Sequence, residues 1–268
     1  MAKQRQKTPI KFVEDTQNSK LVDKRDYHAA TTYSQVGPTC PRSCWFHPNS
    51  YHKAKWPKGW RHCFASIGRA AFSTREEAFE GATYDDAGLA IVRHRIDAAL
   101  YSHRIGDEII DLFRWHTGGD ILHPATQELW VEHVDLIVWA AEQMCELGIP
   151  LIGYTAAWDY AGAERLKPYF LASVQDREAA TKALAAGWRL AYGVLRDRLE
   201  EETAWLRAQG ETVIFCAEQS KKARSCADCG WCAFVDPLKI HLHKYSTYML
   251  YRKKFGIELP GSTMFVVH

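Results

Sequence analysis

Two groups of cysteines are the residues of this chain whose spacing is suited to metal chemistry. In the first group, Cys40 and Cys44 lie in the segment TCPRSC at positions 39–44, so one short loop can turn both thiolates toward a single centre. Cys63 is a candidate third ligand, and His47 competes with it for that role. Three thiolates leave one iron of a four-iron cluster open and reactive. Adding a histidine to the set would instead give a closed zinc site.

The second group lies further along the chain, at Cys216, Cys226, Cys229 and Cys232. Four thiolates at such spacings hold either an iron–sulfur cluster or a structural zinc ion. Three cysteines with two residues between each are more typical of ferredoxins than of paired zinc knuckles, which favours iron and leaves zinc as the alternative. The remaining cysteine, Cys145, is predicted to be a small apolar residue on a helix.

Polar residues at predicted strand ends form a third group of candidates. Gly118-Gly119-Asp120 follows the predicted strand 109–116, and its glycines permit close backbone approach where α/β sheets bind ligands. Asp120 would hold a cationic amine there, and His116 is a candidate acid–base group near neutral pH. Ser173 ends a later predicted strand, which makes it a candidate cofactor contact.

Composition bounds the class of protein. The chain has 268 residues, 47% hydrophobic and 25% charged, with a formal net charge of +2, which is too small to argue for a nucleic-acid partner. Eight cysteines without an apolar export signal favour a reducing compartment, so we predict a cytoplasmic protein with clustered thiols for metal. The most apolar helical stretch, 129–147, carries ionisable residues that a membrane span would rarely accept, so no membrane partner is predicted.

The elements that must position these residues alternate between strands and helices. Short apolar runs at 27–36, 109–116, 150–155, 169–174, 188–194 and 211–216 predict strands, and periodic segments at 85–104 and 126–148 predict helices. This order predicts an α/β fold with a mainly parallel sheet, either a partial or a full (β/α) barrel. We divide the chain into an N-terminal arm at 1–26, a core at 27–215, and a small cysteine-rich appendage with a C-terminal docking segment at 216–268.

A basic, aromatic loop follows the first cysteine pair. Between residues 27 and 75 there are seven Lys or Arg residues and no Asp or Glu, and tryptophans and histidines lie among them. The loop at 45–62 is therefore a candidate nucleic-acid surface, on which lysines contact phosphates and aromatic rings stack on bases. Its cations would equally stabilise an anionic cluster, or the loop would cover the mouth of the barrel.

The cysteine loop and the Gly-Gly-Asp turn together resemble the radical SAM superfamily. The resemblance is greatest to phage-borne radical-SAM-like proteins that share a Thr-Cys-Pro-x-x-Cys loop and a later Cys-aromatic-Ala, here Cys63-Phe64-Ala65. In the superfamily the cysteine loop follows the first barrel strand, and a Gly-Gly-Glu turn after the second holds the amine of S-adenosylmethionine. The sequence departs in two places, where His47 stands at the usual third cysteine and Asp120 replaces glutamate.

The resemblance implies an enzyme with one or two [4Fe-4S] clusters, S-adenosylmethionine and an electron donor. Reductive cleavage of S-adenosylmethionine would give a 5′-deoxyadenosyl radical that abstracts hydrogen from a substrate, which is unknown but could be a nucleotide or nucleic acid. The cofactor would contact Gly118, Gly119, Asp120 and Ser173, with an auxiliary cluster at the four later cysteines. The alternative is a non-catalytic protein in which zinc or a cluster stabilises a nucleic-acid-binding surface.

Overall fold

The computed structural model describes residues 7–14, 16, 28–44, 47, 49, 73–74, 76–216, 219–234 and 262–266. Within these ranges the chain is an α/β protein. Its strands are β1 (Lys11–Val13), β2 (Ala29–Tyr33), β3 (Leu112–Arg114), β4 (Leu151–Ile152), β5 (Tyr154–Thr155), β6 (Leu171–Val174), β7 (Leu190–Val194), β8 (Val213–Phe215) and β9 (Ser262–Val266). Its helices are α1 (Glu76–Phe79), α2 (Asp86–Ile105), α3 (Val131–Leu147), α4 (Arg177–Ala185), α5 (Leu199–Ala208) and α6 (Cys226–Cys229).

The strands form two sheets that meet at Gly153. One sheet has the order β1-β2-β3-β4 and the other has the order β5-β6-β7-β9-β8, and only Gly153 separates β4 from β5. Every pairing is parallel except that of the edge strand β1 with β2. The predicted α/β class and mainly parallel sheet are confirmed. The described strands do not close into a barrel, so the full barrel is not found.

Helix α2 forms where the sequence predicts it. Asp85 is its N-cap, and its Oδ1 accepts a hydrogen bond of 2.8 Å from the Gly88 amide, which satisfies one of the amides left free at a helix start. The helix stops at Gly106, whose φ of 81° suits the left-handed position that ends many helices. The apolar stripe predicted from the period of the sequence is buried, with Leu89, Val92, Ile96 and Leu100 all in the core.

Helix α3 begins later than predicted. The sequence predicts a helix from residue 126, where Thr126 resembles a helix cap, but the first helical residue is Val131 and no side chain caps that end. The preceding residues close a turn of their own, in which the His123 amide donates to the Glu128 carbonyl and Leu122 pairs with Leu129. In that turn the Thr126 hydroxyl accepts from the Glu128 amide, so a local hydrogen bond competes with the helix.

The two faces of the sheet have different partners. Ala30, Phe113 and Leu151 belong to the main core, which also contains the buried residues of α2 and α3. Side chains alternate between the two faces along a strand, so Ala29, Leu112 and Ile152 point to the opposite face. On that face they form a separate apolar cluster with Ala227 and Ala233. The cysteine-rich segment 219–234 therefore lies against the sheet face opposite the helices.

The predicted C-terminal appendage is thus not found as a separate unit. Phe234 and Leu151 exchange backbone hydrogen bonds of 2.8 and 2.7 Å, which join the cysteine-rich segment to β4. The C-terminal docking segment contributes β9, which is inserted between β7 and β8 with parallel pairing on both sides. Among the helices of the described ranges, none has the length and apolarity needed to cross a membrane.

Gly153 allows the two sheets to meet, and replacing it tests that junction. A Cβ atom at this position would lie 2.3 Å from the ring of Phe170, which is fully buried. We expect Gly153→Ala to lower the free energy of unfolding by about 3 kcal/mol, because overpacking a closed core costs this much. Chemical denaturation measures the change.

The matched control is Gly187→Ala, where φ is +79° but no atom lies within 4 Å of the added methyl group. It should cost about 1 kcal/mol, the strain of a left-handed residue alone. The double variant Gly153→Ala/Phe170→Leu should be more stable than the sum of its single changes predicts. Additive effects would show that the contact does not exist.

Candidate functional site

The first cysteine pair lies in a loop with its own backbone hydrogen bonds. After β2 the chain turns at Gly37, where φ is 95°, and the Cys40 amide donates to the Gly37 carbonyl at 3.0 Å. The Cys44 amide donates to the Pro41 carbonyl, also at 3.0 Å. Both cysteines are partly exposed and neither forms a disulfide. The loop therefore presents two reduced thiols from consecutive tight turns.

Thr39 ties this loop to the turn after β3. Its hydroxyl donates to the Gln35 carbonyl at 2.7 Å and accepts from the Asp120 amide at 2.9 Å, while its carbonyl accepts from Leu122 at 3.1 Å. Two tight turns approach each other here, and Gly119 makes the approach possible. Its φ is +80°, and a Cβ atom would lie 2.6 Å from the Ser34 carbonyl oxygen. At Gly119 the close approach is that of the Ser34 backbone, and the predicted contact of Gly119 with a cofactor stays a prediction.

Asp120 connects that turn to the end of β5. Its Oδ1 accepts from the Thr155 hydroxyl at 2.6 Å and from the Ile121 amide at 2.9 Å, and its Oδ2 accepts from the Ala156 amide at 2.7 Å. A further backbone bond comes from Ala157. Burial raises the pKa of Asp120 to about 6, against the opposing effect of these four donors.

Four donors match the number of lone-pair sites on a carboxylate, so Asp120 has a structural part as a tie between strand ends. Its predicted contact with the amine of S-adenosylmethionine would need one of these donors to be displaced. That contact stays a prediction, and so does the ligand role of Gly118, whose carbonyl accepts from the Ser34 amide at 2.8 Å.

A pocket of about 160 Å³ opens beside the cysteine loop. Ser43 and Cys44 line it on the side of the cysteine loop. Trp158, which follows β5, and Ser173, the next-to-last residue of β6, also line it. The Ser173 hydroxyl accepts from the Gln175 side chain at 3.2 Å. The pocket also reaches Asp176, whose Oδ1 caps α4 by accepting from the Ala179 amide. The structure thus brings together a predicted metal ligand and a predicted cofactor contact at the carboxyl ends of parallel strands.

His47 has both ring nitrogens occupied by the backbone. Nε2 lies 2.9 Å from the Gly37 carbonyl, to which it must donate, and Nδ1 accepts from the Asn49 amide at 2.9 Å. Burial lowers the pKa of His47, with a smaller lowering from nearby Arg42 and an opposing rise from the bond to Gly37. A neutral histidine with its only lone pair already in use is not available to a metal. These two hydrogen bonds disfavour His47 as a ligand, and the choice between His47 and Cys63 stays a prediction.

Some predicted residues lie outside the described ranges. Cys63 is one of them, and of the basic loop 45–62 only His47 and Asn49 are described.

His116 lies under the sheet rather than in the pocket. Its ring is buried among the rings of Trp115, His133 and Phe170, and its Nε2 is 3.3 Å from the Nε2 of His133. Burial lowers the pKa of His116 to about 3, so the ring is neutral at physiological pH. The predicted acid–base function of His116 stays a prediction, and this position gives it no contact with the lining of the pocket.

The second cysteine group forms a short turn of the kind that binds metals. Ser225 caps α6 by accepting from the Asp228 amide at 3.1 Å, and Gly230 ends it with a φ of 65°. The Trp231 amide then donates to the Cys229 sulfur. Burial is the main cause that raises the pKa of the Cys229 thiol to about 12. The neighbouring sulfurs of Cys232, Cys226 and Cys216 contribute smaller parts of this rise. All four predicted ligands are therefore neighbours.

The side chains of these four cysteines are not directed at one common point. Among the described residues, no three His, Cys, Asp or Glu side chains are arranged to hold a metal ion directly. The metal site predicted at these four cysteines therefore stays a prediction.

Comparison of the chain with protein-family models, curated proteins and solved structures finds no match. The site must therefore be interpreted from its own chemistry.

Several residues of this site were not predicted from the sequence. Thr39 and Thr155 supply the hydroxyls that join the two loops to β5, and Trp158 and Gln175 line or support the pocket. Thr155 had one usable signal, since it is a hydroxyl residue at the end of the predicted strand 150–155, and Thr39 had another, since it begins the cysteine motif at 39–44. Trp158 and Gln175 had none, because only the three-dimensional arrangement of strand ends brings them together.

The Asp120 tie is testable by a change of one atom. We expect Asp120→Asn to lower the free energy of unfolding by about 2 kcal/mol at pH 7, because the amide nitrogen would face an N–H or O–H donor and leave it unsatisfied. The control is Asp85→Asn, since asparagine caps a helix as well as aspartate does. Equal effects of the two changes in chemical denaturation would contradict the structural part assigned to Asp120.

The choice between His47 and Cys63 is testable by iron content. In chains carrying Cys226→Ala and Cys229→Ala, so that iron reports on the first site, we expect His47→Gln to retain iron after anaerobic reconstitution. Glutamine can donate and accept like the neutral ring, so the loop should survive. Cys63→Ala should lose the iron and the visible absorption. Iron retained without Cys63 and lost without His47 would reverse this assignment.

Proposed function

We propose that this protein is an iron–sulfur enzyme of radical SAM type that cleaves S-adenosylmethionine reductively to start radical chemistry on a substrate. One observation carries the proposal. The pocket at the carboxyl ends of β5 and β6 is lined both by Cys44 of the cysteine loop and by Ser173, so a predicted cluster ligand and a predicted cofactor contact line one cavity. Open α/β sheets bind their ligands at this edge.

The order of the strands supports the same assignment. Within the two sheets, the parallel strands β2-β3-β4 and β5-β6-β7 are neighbours in chain order, with the cysteine loop after β2 and the Gly-Gly-Asp turn after β3. This order supports a partial (β/α) barrel, which is the arrangement that the resemblance of the sequence to the superfamily implies.

The residues present suit a cluster with an open position. Cys40 and Cys44 are reduced and partly exposed, and His47 is withdrawn from the ligand set by its two backbone hydrogen bonds. Three cysteines, Cys40, Cys44 and Cys63, would then hold a four-iron cluster with one iron free. The bound cluster and S-adenosylmethionine supply the electron transfer that breaks a carbon–sulfur bond.

The chain's own residues would bind and orient that cofactor. Trp158 offers an aromatic wall for an adenine ring, and the Ser173 hydroxyl, held by Gln175, offers a polar contact to a ribose or carboxylate. Asp159 and Asp176 add negative charge beside the pocket, which favours a cationic sulfonium. Thr39 and Asp120 hold the two loops in register, so the cysteines keep their place relative to the pocket.

The decisive assay follows 5′-deoxyadenosine and methionine by mass spectrometry. Anaerobically reconstituted protein with dithionite and S-adenosylmethionine should form both, and the Cys40→Ala/Cys44→Ala variant should form neither. Ser173→Ala should weaken binding of S-adenosylmethionine about fivefold, the effect of one lost hydrogen bond of about 1 kcal/mol. The control is Cys145→Ala, a cysteine on α3 outside both groups, which should change neither product yield nor binding.

A colourless protein that binds zinc and no S-adenosylmethionine would refute the enzyme and favour the alternative, a zinc-stabilised nucleic-acid-binding protein. The basic residues that this alternative needs lie mostly outside the described ranges.

A further inference from the structure

The face of the sheet opposite the helices contains a buried cation beside the second cysteine group. Arg114 ends β3 and pairs with Thr31 and Ile152, so its side chain shares their face of the sheet. It is only 5% exposed, and its Nε has no hydrogen-bond partner among the described residues. No carboxylate of the described residues forms an ion pair with it. A buried guanidinium without an anion is costly, so its position calls for negative charge nearby.

Tyr154 links this cation to the cysteines. The guanidinium lies 5.2 Å from the centre of the Tyr154 ring, an arrangement that gives a cation–π contact. The Tyr154 hydroxyl is hydrogen-bonded to the Cys232 sulfur. Tyr154 also packs with Cys226 and Cys232 against the apolar cluster on this face. The cation, the ring and the two sulfurs are therefore one contiguous group.

Cys232 has a second hydroxyl neighbour. The Oγ1 atom of Thr263, on β9, lies 3.2 Å from the Cys232 sulfur. A neutral thiol is a weak acceptor, whereas a thiolate accepts hydrogen bonds strongly. Two hydroxyls from different strands directed at one sulfur, with an arginine beside them, form an environment that suits an anionic sulfur.

We propose that Cys216, Cys226, Cys229 and Cys232 hold a redox-active iron–sulfur cluster against this face, and that Tyr154, Thr263 and Arg114 stabilise its negative charge. The hydroxyls donate to the Cys232 sulfur, and the guanidinium acts through its charge. This inference rests on the iron–sulfur part of the proposed function. It adds a specific consequence, because hydrogen bonds to cluster sulfurs and nearby positive charge favour the reduced, more negative cluster and raise its reduction potential.

The position of the second cysteine group relative to the pocket supports a function in electron transfer or beside the substrate rather than a purely structural function. Cys232 also contacts the cluster formed by Leu171, Ala191 and Phe234. Leu171 lies two residues before Ser173 on β6, so both side chains point to the same face of the sheet. The second centre and the pocket thus share one side of the sheet.

The test isolates the second centre in the full-length chain. In the Cys40→Ala/Cys44→Ala background, iron is reconstituted anaerobically and the midpoint potential is measured by redox titration with visible and electron paramagnetic resonance spectra. Tyr154→Phe and Thr263→Val should each lower the potential. Arg114→Gln should lower it most, reducing the ratio of reduced to oxidised cluster at the parent midpoint about tenfold, which is about 59 mV for a one-electron couple.

The matched control is Tyr192→Phe, which removes a buried hydroxyl that donates to Glu202 at 2.9 Å on the other face of the sheet. It should leave the potential unchanged. Arg114→Lys keeps the charge and should restore part of the shift, and circular dichroism checks that each variant is folded. Potentials that do not move while iron is retained would overturn the proposal, as would a parent chain that binds zinc or no metal at the four cysteines.

The two proposals fail separately. Absence of S-adenosylmethionine cleavage in the intact protein would refute the enzyme but leave the potential shifts intact, because they are measured without the first cluster. An anion bound to Arg114 in place of the cluster would show in isothermal titration calorimetry as phosphate binding to the metal-free chain and not to the Arg114→Gln variant, and this result would also overturn the proposal.

Discussion

The carboxylate of Asp120 is the constraint on which the arrangement of this edge of the sheet depends. It joins the loop after β3 to the end of β5 through one hydroxyl and three amides, and its own amide donates to Thr39 in the cysteine loop. A buried carboxylate is tolerated only with such donors. The loops after β2, β3 and β5 are therefore held together by hydrogen bonds. These bonds fix the relative positions of the loops, which an apolar contact would not specify.

The two faces of the sheet differ in the side chains they carry. One face packs on α2 and α3 through the large apolar core, which includes His116 and His133 as neutral rings. The opposite face carries hydroxyls, sulfurs and a guanidinium among a few small apolar residues. Parallel strands covered on both sides are commonly apolar throughout. The polar groups on the second face therefore mark the side on which ligands or clusters are expected.

How well the sequence predicts an element of this fold depends on how far apart in the sequence the interacting residues are. Helix α2 could be predicted because Asp85 and the stripe from Leu89 to Leu100 are local signals. The start of α3 could not, since the hydrogen bond of Thr126 within a turn competes with a helix cap of the same chemistry.

The candidate site divides in the same way. Cys44 and Ser173 were predicted separately from their strand ends, and the pocket that joins them follows from parallel strand order. The argument against His47 as a ligand needed the backbone partners of its ring, which no spacing reveals. The cysteine-rich segment was predicted as an appendage because its contacts with β2, β3 and β4 are far apart in the sequence.

The insertion of β9 between β7 and β8 has a consequence for the order in which the protein assembles. In the described sheet, β8 pairs only with β9, although it is formed by residues far earlier in the chain. It gains its backbone partners only when residues 262–266 arrive, and pairing over such separations is slow. The segment with Cys226, Cys229 and Cys232 is synthesised before that closure. Its thiols are therefore accessible to solvent while the side of the sheet that will enclose them is still open.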